Sequence, residues 1–368
     1  MVVFFPGAFA IQVTTHIASI PIKILHFLET FLARIFIQLQ LYLNAYTDAL
    51  TVSYASTVTV PPVLNKQVPQ VSGLLIYPVK SLRAVSLQVT TLDALGLVGD
   101  RRFMLVVPAL PPPYGFLPND ATLKFITQLQ CPTMATINAK INSDNTLTLS
   151  CDSSQEISSI TLPLSTMKNN PIFNARIWSD TIKVQDMGNQ VAEFVQHLLP
   201  SMDGVRLVTM AGPRYATKED IPPEARTWRG DTPQTSLNYG FPILIAFEAS
   251  LQEVNRRLKA KGKQEIPMSR FRANIVITNT QPFEEDQWKI IQIGNVTLHL
   301  VKGCGRCKQS CMDQRTGILS DEPLTTLSEF RTFGDEVYFA QNAVAQRGTF
   351  MAVGDTVKVL MRGNPIWD

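Results

Sequence analysis

Short apolar runs of strand length recur along this chain from residue 71 onward, several of them closed by a turn former. Gly73-Leu74-Leu75-Ile76-Tyr77 stops at Pro78, residues 102–107 form a second run, residues 146–150 alternate polar and apolar, and residues 160–164 and 296–301 are mostly apolar. Runs of this kind predict strands. Two segments follow a helical period instead. Residues 189–199 place Val191, Phe194, Val195 and Leu198 on one face and stop at Pro200. Residues 250–261 open with Ser250 and Glu253 in capping-box spacing, bury Leu251, Val254 and Leu258, and end at Gly262. Residues 110–120, with four prolines, predict a loop. A long polar stretch, residues 212–236, carries Pro213, Pro222, Pro223 and Pro233 and is expected to be a boundary or lid. Many short strands with few helices predict an α+β, predominantly β, barrel-like body.

The first 70 residues break this pattern. Residues 1–22 contain no Asp, Glu, Lys or Arg, a run that would just cross a bilayer, which needs about 20 residues. Pro6, Gly7, His16 and Pro21 interrupt it, and residues 22–43 read as an apolar helix broken by Lys23, His26, Glu29 and Arg34. The acid-poor, Arg-rich pattern of a matrix presequence is missing. The expectation is a membrane anchor or interfacial helix, followed by a Ser/Thr/Val/Pro-rich linker over residues 51–70; the other reading is an apolar extension packed on the body.

Composition narrows the function class. The chain has 368 residues, 45% of them hydrophobic, and a net charge of +3. That is globular composition with room for two domains. The charge is too small to imply a nucleic-acid partner. Five cysteines, an odd number, with three clustered, argue against a secreted disulfide framework and for a reducing compartment.

The cluster is Cys304-x2-Cys307-x3-Cys311, directly after the run at 296–301. Thiolates are soft metal ligands, and the residues alone leave metal, nucleophile and inert packing open. Structural zinc wants four ligands, and the only nearby fourth, His299, lies in a strand pattern. An iron–sulfur cluster would need Cys131 or Cys151, both in strand-like contexts far along the chain. A Cys-x2-Cys redox pair usually opens a helix in a βαβ pattern, which is lacking. Cysteine catalysis would have His299 as its one plausible base. Free cysteine is also often just a small buried hydrophobe.

The Cys-x2-Cys segment with Asp313 and Thr316-Gly317, then Glu322-Pro323 and residues 327–331, resembles the C-terminal domain of molybdenum cofactor sulfurases, the MOSC family. Three further stretches agree in order: Tyr77-Pro78-Val79-Lys80-Ser81 with Gly99-Asp100-Arg101-Arg102-Phe103; Phe271-Arg272-Ala273-Asn274-Ile275 with Glu284-Glu285-Asp286-Gln287-Trp288; and the tail from Gln341-Asn342 to Val353-Gly354-Asp355. By layout the chain is similar to the mitochondrial amidoxime-reducing components and their bacterial counterparts, molybdenum enzymes that cleave N–O bonds.

The resemblance implies two joined β-barrel-like modules with a few flanking helices: an N-terminal extension over residues 1–70, a MOSC N-terminal barrel over 71–210 and a MOSC domain over 211–368. It implies molybdenum cofactor held between the modules, with Cys304 as protein ligand to the metal. Lys80, Ser81 and Arg102 are then expected to contact the pterin and its phosphate, and Arg272 and Asn274 the same pocket. Cys304, Asn274 and Asp313 are the expected catalytic residues. A dithiolene-bound molybdenum accepts one more soft sulfur ligand. Arg offers phosphate a planar fork and Lys a point charge, while Ser and Asn can bond a pterin edge. If residues 271–275 form a strand, Arg272 and Asn274 share a face. Taken singly, Lys80 and Arg102 would be solvated charges, Asn274 a satisfied core amide and Asp313 a turn cap. One departure stands out: Tyr239 occupies the place where relatives carry Asp, with Asn238 beside it.

The expected activity is two-electron reduction of small N-hydroxylated substrates. The resemblance also implies a cytochrome b5-type electron donor fed by an NADH-dependent reductase, because the sequence shows no haem ligand pair, flavin site or Gly-x-Gly-x-x-Gly after a strand. Location on a membrane, the mitochondrial outer membrane facing the cytosol, follows from the same resemblance, with a cytoplasmic protein as the alternative. The rival functions are a molybdenum-cofactor carrier or sulfur-relay module without reductase activity, and a barrel that has lost its metal.

Overall fold

A computed structural model describes residues 68–109, 122–151, 159–165, 169–216, 221 and 233–367. The expected anchor and most of its linker, the proline loop at 110–120 and much of the expected lid lie outside the described residues. In chain order the strands are β1 (Gln70–Ile76), β2 (Val85–Leu87), β3 (Val89–Asp93), β4 (Gly96–Leu97), β5 (Phe103–Pro108), β6 (Thr122–Phe125), β7 (Ile137–Ile141), β8 (Thr146–Cys151), β9 (Ser159–Pro163), β10 (Ile172–Ile177) and β11 (Asp180–Asp186). Helix α1 (Asn189–Leu198) and β12 (Arg206–Met210) follow. The second half holds β13 (Ile243–Phe247), α2 (Glu248–Ala260), β14 (Ile275–Thr278), β15 (Trp288–Ile293), β16 (Val296–Gly305), α3 (Leu324–Ser328), β17 (Thr332–Phe333), β18 (Glu336–Arg347), β19 (Phe350–Ala352) and β20 (Val357–Arg362).

These strands make the predominantly β, two-module architecture expected. Among the described residues β10, β11, β12, β5 and β6 close into a barrel. Strand β5 shows why its sequence reads as a continuous apolar run. Met104 and Val106 enter the barrel's cluster with Leu123, Val184 and Val208. Phe103 and Leu105, on the other face, pack with Phe194 and Val195 of α1 and Leu149 of β8. A strand covered on both faces has no polar side.

The second module is one curled sheet in the order β2-β1-β14-β13-β18-β16-β15-β20, with β17 added on β18. Its ends meet. Gln70 bridges Thr356, and the Val71 N–H donates to the Asp355 carbonyl at 2.9 Å. Leu74, Ile245, Ile275, Ile291 and Leu298 fill the interior so formed. Strand β1 comes early in the chain yet pairs with β14, two hundred residues later, Leu74 opposite Ile275. The long-range pairing sets residues 77–81 beside residues 272–274.

Three sequence expectations need correction. Ser250 is not a helix cap. The strand β13 runs straight into α2, whose N-cap is Phe247, held by its edge-on contact with Trp288 at 5.2 Å. Ser250 lies inside the helix, where its hydroxyl donates to Glu285 at 2.6 Å and accepts from the Phe283 N–H, while Glu253 pairs with Arg256 and Arg257. Arg272 and Asn274 are not alternating strand residues. Met268–Phe271 form a 3-10 turn, Arg272 is left-handed at φ 55°, and β14 begins only at Ile275. Cys131 likewise precedes a 3-10 turn, Pro132–Thr136, rather than lying in a strand.

Glu285 is buried between α2 and this sheet. Burial drives its carboxyl up from 4.5 to about 8, a rise that the Ser250 hydrogen bond opposes and neighbouring Asp286 reinforces, with Arg331 pulling the other way. A carboxyl raised in the folded state contributes stability below its unfolded pKa and loses it as pH rises through the folded value. Glu285→Gln should therefore gain on the wild type as pH rises from about 5 to about 8, by on the order of 2 kcal/mol in urea unfolding. An equal difference at both pH values would contradict that assignment.

Candidate functional site

The end of β1 leads into Tyr77-Pro78-Val79-Lys80-Ser81, and Tyr77 organises what surrounds it. Its ring is buried, with the Arg272 guanidinium 4.2 Å and the Arg101 guanidinium 4.4 Å from the ring centre. Its hydroxyl donates to the Ala273 carbonyl at 3.2 Å and its N–H donates to Asp100 at 2.8 Å. Asp100 is 1% exposed and grips Arg101 at 2.6 Å. Arg101 then donates to the Arg272 carbonyl and, at 3.4 Å, to the Asn274 amide oxygen. Asn274, fully buried, also accepts from the Leu244 N–H and donates to the Leu75 carbonyl. It staples β1, β13 and the start of β14 together and fixes Arg101 as it does so.

Lys80 is buried within this group, and among the described residues it has no acid partner. Its ammonium donates to the Leu237 carbonyl at 2.9 Å and sits 5.3 Å from the Phe125 ring and 5.4 Å from the Trp178 ring. Burial first, then Arg101, Arg214 and Arg272, depress it from 10.5 to about 7, with Asp100 too weak to restore it. Arg272 is pushed down to about 10 by the same burial, and its guanidinium is held by the Leu82 carbonyl and Gln314. Arg214 pairs with the half-exposed Asp180 and with the carbonyls of Ser236 and Asn238. Positive charge exceeds negative here, and buried charge is costly unless paired. A cluster built this way fits an anionic ligand.

Cys304 lies at the end of β16, opposite a bulge in β18. Gly303 pairs with Gln341 and Gly305 with Tyr338, so Phe339 and Ala340 together face the one cysteine, and Ala340 takes φ 73°. Bulges re-aim a side chain and recur beside functional sites. The flanking glycines are required by close packing. A Cβ on Gly303 would lie 2.5 Å from the Trp367 ring, and one on Gly305 would overlap the Glu336 carboxylate. Cys304 is partly exposed, and its sulfur accepts from Arg306 at 3.1 Å. The other guanidinium nitrogen of Arg306 donates to the Phe271 carbonyl, next to Arg272. The cysteine strand and the cationic cluster thus share one short segment, residues 271–274.

The remaining expected residues divide. Ser81 is buried with φ 68°, and its carbonyl accepts from Gln128, which also bonds Gln314. Arg102 turns elsewhere. Its guanidinium pairs with Asp93 at 2.8 Å and reaches the Leu97 carbonyl, beside a cavity of about 330 Å³ lined by Thr209, Gln234 and Ser236. Of the two adjacent arginines, Arg101 is the one over Tyr77. Asp313 closes a turn, accepting from the N–H groups of Arg315 and Thr316 and from Arg270. Cys307 is exposed, and Cys311 is buried with its thiol pushed up by burial. His299 is buried in β16, its Nε2 unpartnered. Among the described residues no three His, Cys, Asp or Glu side chains converge as metal ligands.

Residues 232–358 match the MOSC domain and residues 68–201 match the MOSC N-terminal beta barrel domain. Mitochondrial amidoxime-reducing component 1 of Xenopus laevis is 30% identical over 309 residues, 79% of this chain and 82% of the relative. The human protein of that name is 30% identical over 309 residues, 81% of this chain and 85% of its own length. The chain belongs to this MOSC-domain family. A molybdenum cofactor sulfurase of Drosophila grimshawi is 29% identical over 79% of this chain, which spans only 35% of that longer protein.

Two further features mark the site of this MOSC protein. Tyr239 is 69% exposed and lies edge-on to Trp178 at 4.8 Å, extending the aromatic wall over Lys80. Asn238 is buried, donates to Asp100 and the Pro242 carbonyl, and leaves its own amide oxygen unpartnered. Among the described residues no helix is long and apolar enough to cross a membrane.

Sequence reasoning missed Arg101, Arg306, Gln128 and Gln314 as site residues. Arg101 stands in the motif beside Arg102, and no periodicity separates the two. Arg306 had one signal, a cation two residues from the cysteine. Because a base with a depressed folded pKa loses stability as pH falls through that value, Lys80→Met should stabilise the ligand-free protein. The expected gain is on the order of 1–3 kcal/mol at about pH 6, shrinking as pH rises into the ordinary lysine range. Destabilisation across that range would show that Lys80 is compensated.

Proposed function

We propose that this protein binds molybdenum cofactor and reduces N-hydroxylated compounds, as the names of its amidoxime-reducing relatives suggest. The observation that carries this reading is the acid-poor cationic pocket around Tyr77, joined through residues 271–274 to a partly exposed cysteine. The residues fit the group. A phosphate-bearing ligand supplies the negative charge that Lys80 and Arg272 lack, and a guanidinium held on the Cys304 sulfur matches a metal-bound thiolate.

In this reading Cys304 holds the metal and Arg306 orients its sulfur. Lys80 and Arg272 meet the anionic end of the ligand, Arg101 sets the pocket's shape through Asp100 and Tyr77, and Ser81 and Asn274 complete the wall. Arg102 serves the neighbouring cavity, and Asp313 holds the turn that places Gln314 against Arg272. When bound, the cofactor supplies a centre that passes two electrons to an N–O bond; with two protons an amidoxime then becomes an amidine and water. Electrons would come from a cytochrome b5-type donor and its NADH-dependent reductase. Residues 1–70 would hold the protein on a membrane, the mitochondrial outer membrane, where donor and acceptor share one plane.

The test is reconstitution with a b5-type donor and benzamidoxime, with elemental analysis and pterin fluorescence on the same samples. Wild type should carry molybdenum and form benzamidine. Cys304→Ala should lose metal and more than about 100-fold in turnover, beyond the usual cost of an outer-shell change, whereas Cys307→Ser should keep both. Cofactor without turnover in the wild type would leave a carrier module, and folded protein free of cofactor would end the proposal.

A further inference from the structure

The chain's last residues return to the cysteine strand, beyond the MOSC match that ends at residue 358. The Gly303 N–H donates to the Ile366 carbonyl at 3.0 Å, and the Gly303 carbonyl accepts from the Asn342 amide at 3.2 Å. Both backbone groups of the residue before Cys304 are therefore held, one of them by the tail. The Trp367 ring occupies the space a side chain at position 303 would fill. It stacks on Phe333 with centroids 4.4 Å apart and planes 3° from parallel, and leans on Tyr338 at 4.9 Å. The Arg331 guanidinium lies 5.3 Å from it and is itself clamped by Asp286 at 2.7 Å. The tail is also tied upstream, where the Gly363 N–H donates to the Gln287 carbonyl. Successive strand residues point to opposite sides, so this aromatic box backs the strand while the Cys304 sulfur projects away from it.

We propose that residues 363–367 form a latch behind Cys304, with Trp367 a positioning residue that holds the sulfur in one place. A ligand atom that must meet a metal tolerates little looseness, and its supports set its position. The bulge at Phe339 and Ala340 leaves β16 irregularly paired at Cys304, so the ladder alone restrains this residue poorly. The latch supplies the missing restraint from a stretch of chain that the family's own match does not include. Its meaning for catalysis rests on Cys304 being the metal ligand; its existence does not.

The test uses the full-length chain as wild type, Trp367→Ala and Trp367→Phe, with truncation after Pro365 as an independent variant. Two readouts are taken. One is iodoacetamide alkylation of Cys304 in cofactor-free protein, resolved from the other cysteines by mass spectrometry. The other is the electron paramagnetic resonance signal of reduced, loaded protein. Removing one stacked ring should raise Cys304 alkylation by roughly three- to tenfold, with Cys131 and Cys151 still protected, and broaden the metal signal. Trp367→Phe should restore most of both. Unchanged Cys304 reactivity in folded Trp367→Ala and in the truncated chain overturns the latch, as does a rise shared equally by Cys131 and Cys151. If the protein carries no molybdenum, the cofactor reading fails while the alkylation result still decides the latch.

Discussion

An ammonium group buried with no carboxylate beside it among the described residues is the constraint around which this site is built. Lys80 has a carbonyl and two ring faces for company, and the other charges near it are mostly positive. Proteins rarely bury charge so poorly matched unless a ligand completes the match. Asp100 is the buried counter-charge, and it is spent on orientation: it takes the Tyr77 N–H and Arg101 together. Arg101 and Arg272 are thereby both held over the Tyr77 ring, at 4.4 and 4.2 Å from its centre. Such an arrangement sacrifices stability in the empty protein for complementarity to an anion.

The topology of the large sheet makes this arrangement possible. Strand β1 pairs with β14, and Asn274 bonds Leu75 through both its backbone and its side chain. Lys80 and Ser81 follow β1 directly, and Arg272 precedes β14 directly, so a single antiparallel pairing fixes both sides. The cysteine enters through Arg306, whose guanidinium spans the Cys304 sulfur and the Phe271 carbonyl. Phe271 is in turn stacked on Phe339, the bulged residue opposite Cys304, at 3.8 Å. The cysteine and cationic halves of the candidate site therefore share supports, and a change at residue 271 or 339 should be felt by both.

Much of the local structure was legible from the chain. Apolar runs marked β1, β5, β8, β9 and β16 to within a few residues, and Val191, Phe194, Val195 and Leu198 face inward from α1 as their spacing required. The capping-box reading at Ser250 failed because a strand feeds α2 directly and the serine found a buried glutamate instead. The strand reading at 271–275 failed because Arg272 adopts a left-handed conformation, which an arginine does not announce.

The sequence by itself determined the family and the β-rich two-module plan, because these depend on residue type and on order along the chain. Only the tertiary structure decided which of two adjacent arginines faces Tyr77, that Asp313 closes a turn, and that Trp367 backs the cysteine strand. Each of those outcomes turns on contacts between segments tens to hundreds of residues apart, and on bulges and left-handed residues that shift a side chain from one face to another. Periodicity reports what a segment prefers alone; the direction of a side chain is settled by what packs against it.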